Sequence, residues 1–275
     1  MLIGNRQFDL EKNAYIMGIL NVTPDSFSDG GKWNEMDKAL KHVEQMIADG
    51  ADIIDIGGES TRPGYVAVKA EEEAERVAPV VKKICENFDV AISVDTYKAY
   101  VAECAIQAGA HMINDIWGFK GDDEMAKVVA KYEVPCCLMH NRDNKLRPYK
   151  NFLEDVASDL KESINLGLSA GVSKDKIILD PGIGFGKTLE ENLYLMNNLE
   201  KLKKMGYPVL LGTSRKSMIG LTLDLPVEER LEGTLATSVL GVMKGCSIVR
   251  VHDIKENFRA IKMTKAIMEA QEYEK

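Results

Sequence analysis

Short apolar runs rich in β-branched residues alternate along this chain with longer segments in which apolar residues recur every three or four positions. The short runs predict strands and the longer segments predict amphipathic helices. The strands are almost continuously apolar, which is typical of a parallel sheet covered on both faces. The predicted strands are 15–20, 52–56, 90–94, 111–114, 135–139, 176–180, 208–212 and 247–252.

Eight strand–helix units within 275 residues fit a closed (β/α)8 TIM barrel better than an open sheet. We find no interdomain linker, so a single domain over residues 1–275 is predicted. Four strand-to-helix connections are long: 21–34, 57–68, 140–150 and 213–226. In such a barrel these connections lie at the carboxyl-end rim, where active sites are built, so we expect the functional site there.

Composition narrows the class of function. A net charge of -8 argues against a general binder of nucleic acid or of membrane surfaces. The N-terminus resembles no cleavable leader and no apolar run approaches about 18 residues, so we expect a cytoplasmic protein without membrane contact. The five cysteines lie in apolar patterns without C-x-x-C spacing, which predicts reduced core thiols. Residues 181–188 nearly match a nucleotide P-loop, but Pro181 stands where its first glycine belongs, so we reject that interpretation.

Basic and amide side chains gather at the ends of predicted strands. Arg250 and His252 are two residues apart, so they point to the same face of the eighth strand. With Arg62 and Asn21 they could form a donor-rich patch on one side of the barrel mouth. Arginine matches phosphate oxygens bidentately, so this patch indicates a phosphate site.

Two carboxylates indicate the second part of the expected ligand. Asp95 and Asp180 end the third and sixth predicted strands, across the barrel from one another. They offer acceptors to a ligand edge with several N–H donors, at roughly 1.5–3 kcal/mol for each charge-assisted bond. The implied ligand is a donor-rich heterocycle deep in the barrel that carries phosphate at the rim. Helix capping remains an alternative role for each single Asp or Asn.

Seven long motifs resemble the signatures of dihydropteroate synthases. They are GILNVTPDSFSDGG (18–31), DIGGESTRPG (55–64), SVDT (93–96), IND (113–115), DPGIGFGK (180–187), GTSRKS (212–217) and RVHD (250–253). The resemblance runs from about residue 15 to the last helix. It implies a pterin-binding barrel of folate biosynthesis, with Mg2+ and usually a homodimer. The implied reaction joins the small-molecule substrates 6-hydroxymethyl-7,8-dihydropterin diphosphate and 4-aminobenzoate, and releases pyrophosphate.

The resemblance also implies roles for individual side chains. The pterin would be held by Asp95, Asn114, Ile116, Met139, Asp180, Phe185, Gly212 and Lys216. The diphosphate would be received by Asn21, Arg62, Arg250 and His252, with Asn21 also a ligand of Mg2+. The aminobenzoate, or a sulfonamide in its place, would contact Phe27, Thr61, Arg62, Pro63, Lys216 and Ser217. The catalytic set would be Asp95, Asp180, Lys216, Arg250, His252 and Asp29, although Asp29 could equally be a turn former.

The predicted chemistry is dissociative: the pterin C–O bond breaks before the amine attacks, and the loops 21–34 and 57–68 fold over the rim to exclude water. Two alternatives stay open. A methyltetrahydrofolate–corrinoid methyltransferase would share the deep acceptors but would not need the phosphate patch. A catalytically silent pterin-binding paralogue would be expected to lose loop or phosphate residues, which this chain retains. Stimulation of pyrophosphate release by 4-aminobenzoate would separate the methyltransferase alternative from the synthase.

Overall fold

The computed structural model describes residues 1–22, 32–59, 68–143 and 148–270. In these ranges the strands are β1 (Leu2–Ile3), β2 (Arg6–Gln7), β3 (Tyr15–Asn21), β4 (Ile53–Gly57), β5 (Ala91–Asp95), β6 (Met112–Asp115), β7 (Cys136–Met139), β8 (Ile177–Asp180), β9 (Leu210–Gly212) and β10 (Ile248–Val251). The helices are α1 (Lys32–Ala48), α2 (Ala70–Asn87), α3 (Ala99–Gln107), α4 (Met125–Tyr132), α5 (Phe152–Ala170), α6 (Leu189–Asn197), α7 (Glu200–Lys203), α8 (Ser217–Leu223), α9 (Leu231–Met243) and α10 (Ile254–Met268).

The strands β3 to β10 form one parallel sheet in the order β8-β7-β6-β5-β4-β3-β10-β9. A parallel bridge between Leu179 and Val209 joins the two ends, and the Leu179 N–H donates to the carbonyl of Pro208 at 3.0 Å. The sheet is therefore a nearly closed (β/α)8 barrel, which confirms the predicted fold class. Each predicted strand ends within two residues of an observed one, because the apolar runs mark the buried strands directly.

The barrel interior is layered, since alternate residues of each strand point inward. The lowest layer is apolar and takes one buried residue from each strand: Met17, Ile53, Ala91, Met112, Cys137, Ile178, Leu210 and Ile248. The sequence pattern did not predict the N-terminal hairpin β1–β2, which packs below this layer through Ile3. Phe8 and Leu10, which come after the hairpin, are buried in the same cluster. Two residues further along the strands the positions become polar at Asp55, Ser93, Asn114, Asp180 and Arg250. The barrel thus has an apolar plug beneath a polar floor.

A second core lies between the strands and the surrounding helices, and includes Val43, Val77 and Leu160. It covers the outer faces of the strands, which explains why the strand sequences are apolar on both sides. Among the residues that the structure describes, no helix is both long and apolar enough to cross a membrane.

The long connection predicted over 213–226 is wrong in its centre, where α8 forms. Met218 and Ile219 of this helix are buried, so packing against the barrel stabilises a segment whose sequence is too short to show a helical period. Parts of the other three predicted connections, residues 23–31, 60–67 and 144–147, lie outside the described residues.

Candidate active site

A buried ion network forms the floor of the site. The Oδ2 atom of Asp55 accepts hydrogen bonds from Arg250 Nε at 2.6 Å and from Asn114 Nδ2 at 3.2 Å. Arg250 Nη2 donates to Asp95 Oδ2 at 2.7 Å. Burial opposes the charge of Arg250, but the two carboxylates raise the pKa of its guanidinium above the ordinary value. Arg250 therefore bridges two carboxylates and lies against the floor.

Asp55 was missed by the sequence reasoning, which considered only the ends of strands. It is fully buried and lies within β4, flanked by Ile54 and Ile56. The alternation of a strand could have found it, because Asp55 lies two residues before Gly57 and so shares the inward face. A lone carboxylate within an otherwise apolar strand was the available signal.

Asp95 lies one step above this floor, at the end of β5. Burial raises the pKa of its carboxyl to about 7; Arg250 opposes the rise and Asp55 adds to it. In the sheet register Asp95 stands between Gly57 and Asn114. Asp95 thus changes its protonation near neutral pH, and only its ionised form offers two acceptor oxygens to a ligand.

Asp180 and Lys216 face the same space from β8 and from the start of α8. Asp180 Oδ1 accepts the N–H of Gly182 at 2.7 Å. A methyl group built on Gly212 would lie 3.9 Å from Asp180 Oδ2 and 4.0 Å from Lys216 Nζ, so these groups converge over the glycine. Burial raises the pKa of Asp180 and lowers the pKa of Lys216 to about 8, and each charge opposes the shift of the other.

Apolar groups line the site beside these charges. Lys216 Nζ donates to the carbonyl of Ile183 and lies 4.6 Å from the centre of the Phe185 ring. Met139 is opposite Asp180 in the sheet register and is buried, as is Ile116 after β6. An aromatic ring and two apolar side chains near three carboxylates suit a flat, polar-edged heterocycle.

At the rim, Asn21 is exposed at the end of β3, and a methyl group on Gly57 would lie 3.7 Å from its Oδ1. His252 is also exposed, and its Nδ1 is 3.0 Å from the hydroxyl of Ser214. The same hydroxyl accepts the backbone N–H of His252 at 3.1 Å. Ser214 therefore orients the imidazole, a role that the sequence reasoning did not assign. Ser217 is exposed at the first residue of α8.

The structure thus brings Asp95, Asn114, Asp180, Lys216 and Arg250 together at one end of the barrel. Arg250, expected in the rim patch with His252, contacts Asp55 and Asp95 at the floor instead. Five further residues of the predicted site lie outside the described residues: Phe27, Asp29, Thr61, Arg62 and Pro63. The roles assigned to individual side chains stay predictions.

An ion cluster beside the site joins the two described ends of the β4–α2 connection. Lys98 Nζ donates to the carboxylate of Glu59, to Glu73 Oε2 at 2.5 Å and to the carbonyl of Val68 at 2.8 Å. Only 13% of the Lys98 side chain is exposed, and both glutamates are buried. Burial favours the neutral amine, but the two carboxylates outweigh it and raise the pKa of Lys98.

Comparison with known proteins agrees with this geometry. The family profile described as pterin binding enzyme matches residues 17–252. The dihydropteroate synthase of Clostridium beijerinckii is 66% identical over 269 residues, which cover 98% of this chain and 99% of that protein. The chain belongs to the dihydropteroate synthases.

Solved dihydropteroate synthases share the fold. The enzyme of Clostridium difficile, determined in the presence of pteroic acid, is 53% identical, with a TM-score of 0.93 and coverage of 96% of this chain and 100% of that chain. The Xanthomonas albilineans dihydropteroate synthase, determined with 4-aminobenzoic acid, is 39% identical, with a TM-score of 0.89 and coverage of 94% of each chain. These findings confirm the predicted family and favour the synthase over the methyltransferase alternative.

Proposed function

We propose that this chain condenses 6-hydroxymethyl-7,8-dihydropterin diphosphate with 4-aminobenzoate, giving 7,8-dihydropteroate and pyrophosphate. The observation that carries the proposal is the convergence of Asp95, Asp180 and Lys216 with Asn114 above the apolar plug. Relatives determined with pteroic acid and with 4-aminobenzoic acid support the two halves of the substrate pair.

The pterin fits the deep part of the site. Its amino-pyrimidinone edge presents several N–H donors, and the ionised carboxylates of Asp95 and Asp180 are acceptors only. The ammonium of Lys216 complements ring carbonyl and nitrogen acceptors. Phe185 offers a face for stacking, because its ring is partly exposed beside Lys216.

The proposed route breaks the pterin C–O bond first. The pterin ring delocalises the positive charge that remains, and the carboxylates of Asp95 and Asp180 stabilise it. Negative charge that accumulates on the departing pyrophosphate is met by His252 at the rim and by the predicted Arg62. This is electrostatic catalysis directed at developing charge, and an aromatic amine that attacks a cation needs no strong base.

Mg2+ suits the rim of this site. The Oδ1 of Asn21 is a hard oxygen donor beside Gly57, and the residues that the structure describes contain no cluster of three or more His, Cys, Asp or Glu side chains placed to cage a metal. Mg2+ commonly takes one or two protein oxygens and completes its coordination with water and substrate phosphates. When bound, it would neutralise charge on the leaving diphosphate.

The test is a coupled measurement of both products. The protein, Mg2+ and the two substrates should give dihydropteroate and an equal amount of pyrophosphate, and 4-aminobenzoate should stimulate pyrophosphate release. Asp180→Asn should lower kcat/KM at least about tenfold, equivalent to about 1.4 kcal/mol. The control Asp175→Asn changes an exposed carboxylate before β8 and should leave turnover unchanged. Pyrophosphate release that 4-aminobenzoate does not stimulate, or wild-type turnover in Asp180→Asn, would contradict the proposal.

We also propose that the chain forms a homodimer through α9 and α10, which pack side by side. No charged residue occurs in α9 after Glu232, and its outward side exposes Leu240 and Met243. The neighbouring surface of α10 exposes Met263 and Ile267. A helix that is apolar on every side is normally covered. A cytoplasmic location remains a prediction from the sequence.

Light scattering tests the dimer. The wild-type chain should give twice the chain mass of 30.5 kDa, and Met243→Glu combined with Ile267→Glu should give the monomer mass. Tyr100→Glu is the matched control, because Tyr100 is an exposed apolar position on α3, away from this face. A monomeric wild type, or a dimeric double variant, would refute this interface.

A further inference from the structure

The connection from β8 to α6 is held by side chains from outside its own turn. Its carbonyls at positions 182, 183, 185 and 186 accept hydrogen bonds from Lys187, Lys216, Lys187 and Tyr149, respectively. Its N–H at Gly184 donates to Asn192 Oδ1 at 2.7 Å. The connection carries Phe185 and follows directly on Asp180, so its backbone sets the position of two groups of the site.

Lys187 makes the most extensive of these contacts. Its Nζ donates to the carbonyl of Gly182 at 2.8 Å and to the carbonyl of Phe185 at 2.9 Å. These two residues already form a turn, because the N–H of Phe185 donates to the carbonyl of Gly182 at 3.1 Å. The Nζ of Lys187 therefore closes the turn from behind, by hydrogen bonds to both of its end residues.

A buried histidine holds Lys187 in place. His140 is fully buried, and its Nδ1 lies 2.9 Å from Lys187 Nζ, while its Nε2 lies 3.2 Å from Asp159 Oδ2. Although burial opposes it, hydrogen bonds from His140 and Arg142 lower the pKa of Asp159 to about 2, and burial lowers the pKa of His140 to about 4. At neutral pH the ionised Asp159 thus keeps the ring proton on Nε2, so Nδ1 is an acceptor for Lys187.

The turn also rests directly on the histidine backbone. Gly182 has φ +66°, and a methyl group built there would lie 1.9 Å from the carbonyl oxygen of His140. Only glycine permits this approach. The N–H of Gly182 donates to Asp180 Oδ1 at 2.7 Å, so a displacement of the turn would also turn the Asp180 carboxylate.

From these contacts we infer that Lys187 is a positioning residue. Held by the His140–Asp159 pair, it fixes the turn from Gly182 to Phe185 and so aligns Phe185 and Asp180 for the pterin ring. This inference rests on the proposed function for the identity of the ring. It assigns a role to three buried or half-buried side chains that lie outside the predicted site.

The test uses a pterin without phosphate. Titration calorimetry with 6-hydroxymethylpterin should show that Lys187→Met raises the Kd at least about tenfold, while the Kd for pyrophosphate with Mg2+ changes less than twofold. Lys187→Gln, whose neutral amide donates at most two hydrogen bonds, is measured in the same way. It should also raise the Kd for 6-hydroxymethylpterin at least about tenfold and change the Kd for pyrophosphate less than twofold. The matched control is Lys176→Met, because Lys176 donates to the carbonyl of Glu133 at the opposite end of β8. It should bind both ligands as the wild type does.

A double-mutant cycle separates positioning from general stability. If Lys187 acts through Phe185, then Lys187→Met should weaken pterin binding far less in a Phe185→Ala background than in the wild type. Additive effects, or a folded Lys187 variant with the wild-type Kd, would overturn the inference. If the wild type itself binds no pterin, the proposed function fails; if the wild type binds and the Lys187 variants bind equally, only this inference fails.

Discussion

Replacing Asp55 by asparagine tests whether a carboxylate inside a strand organises the floor. One oxygen of Asp55 accepts both hydrogen bonds, from Arg250 and from Asn114, and the other oxygen is buried without a partner among the described residues. Asparagine keeps the shape and removes the charge. Its carbonyl oxygen can retain both contacts, but its NH2 group then occupies the buried position without an acceptor.

The magnitude follows from these two changes. A charge-assisted hydrogen bond contributes about 1.5–3 kcal/mol and is roughly twice as strong as a neutral one, so the contact with Arg250 loses about 0.7–1.5 kcal/mol. A buried donor without an acceptor costs about 1–3 kcal/mol more. The free energy of unfolding should therefore fall by about 2–4 kcal/mol. Of the two changes, only the weakened contact with Arg250 alters the orientation of that side chain. The pterin Kd should therefore rise about three- to tenfold.

Urea unfolding followed by circular dichroism measures the free energy of unfolding, and calorimetric titration with 6-hydroxymethylpterin measures the pterin Kd. Asp52→Asn is the control, because Asp52 precedes the same strand and accepts the N–H of Ile16 at 2.9 Å, below the apolar layer. It should bind pterin as the wild type does. A wild-type pterin Kd in Asp55→Asn, or equal weakening in both variants, would refute the reasoning.

The remaining predictions concern charge and capping. Because burial raises the pKa of Asp95 from 3.8 to about 7, pterin binding should tighten as the pH rises through about 7, and Asp95→Asn should abolish this dependence in titrations across that range. The same raised pKa favours the folded state most below pH 3.8, and this contribution should be lost as the pH passes about 7. Lys98→Met leaves two buried glutamates without their cation and should cost about 3–5 kcal/mol in urea unfolding, whereas Lys83→Met at an exposed pair should cost nothing measurable; equal losses would contradict the cluster's role. Thr188→Ala removes the capping box of α6 and should cost about 1 kcal/mol in the same assay, and an unchanged midpoint would show that the cap is dispensable.

Much of the barrel could be predicted because its strands are buried on both faces, so each appears as an apolar run. Asp180 and Arg250 were visible because they interrupt or end such runs. Asp55 was hidden, since a single polar residue between Ile54 and Ile56 reads as an irregularity until the inward face of the strand is traced.

Other features depend on tertiary contacts that no local pattern encodes. Lys187 lies 47 residues from His140 along the chain, and only the stacking of two connections brings them together. In the sequence Lys187 belongs to a glycine-rich segment that resembles a nucleotide loop. The N-terminal hairpin has strands of two residues, which are too short for any periodicity to detect.

That hairpin has a consequence for how ligands reach the site. Since Ile3, Phe8 and Leu10 close the lower end of the barrel, the polar floor is reached, within the described part of the chain, from the rim. A ligand that binds at the floor must enter before one that binds at the rim, because the ligand at the rim would block its path. The apolar plug, on the far side of the protein from the chemistry, thus favours an order of binding in which the deeper ligand enters first.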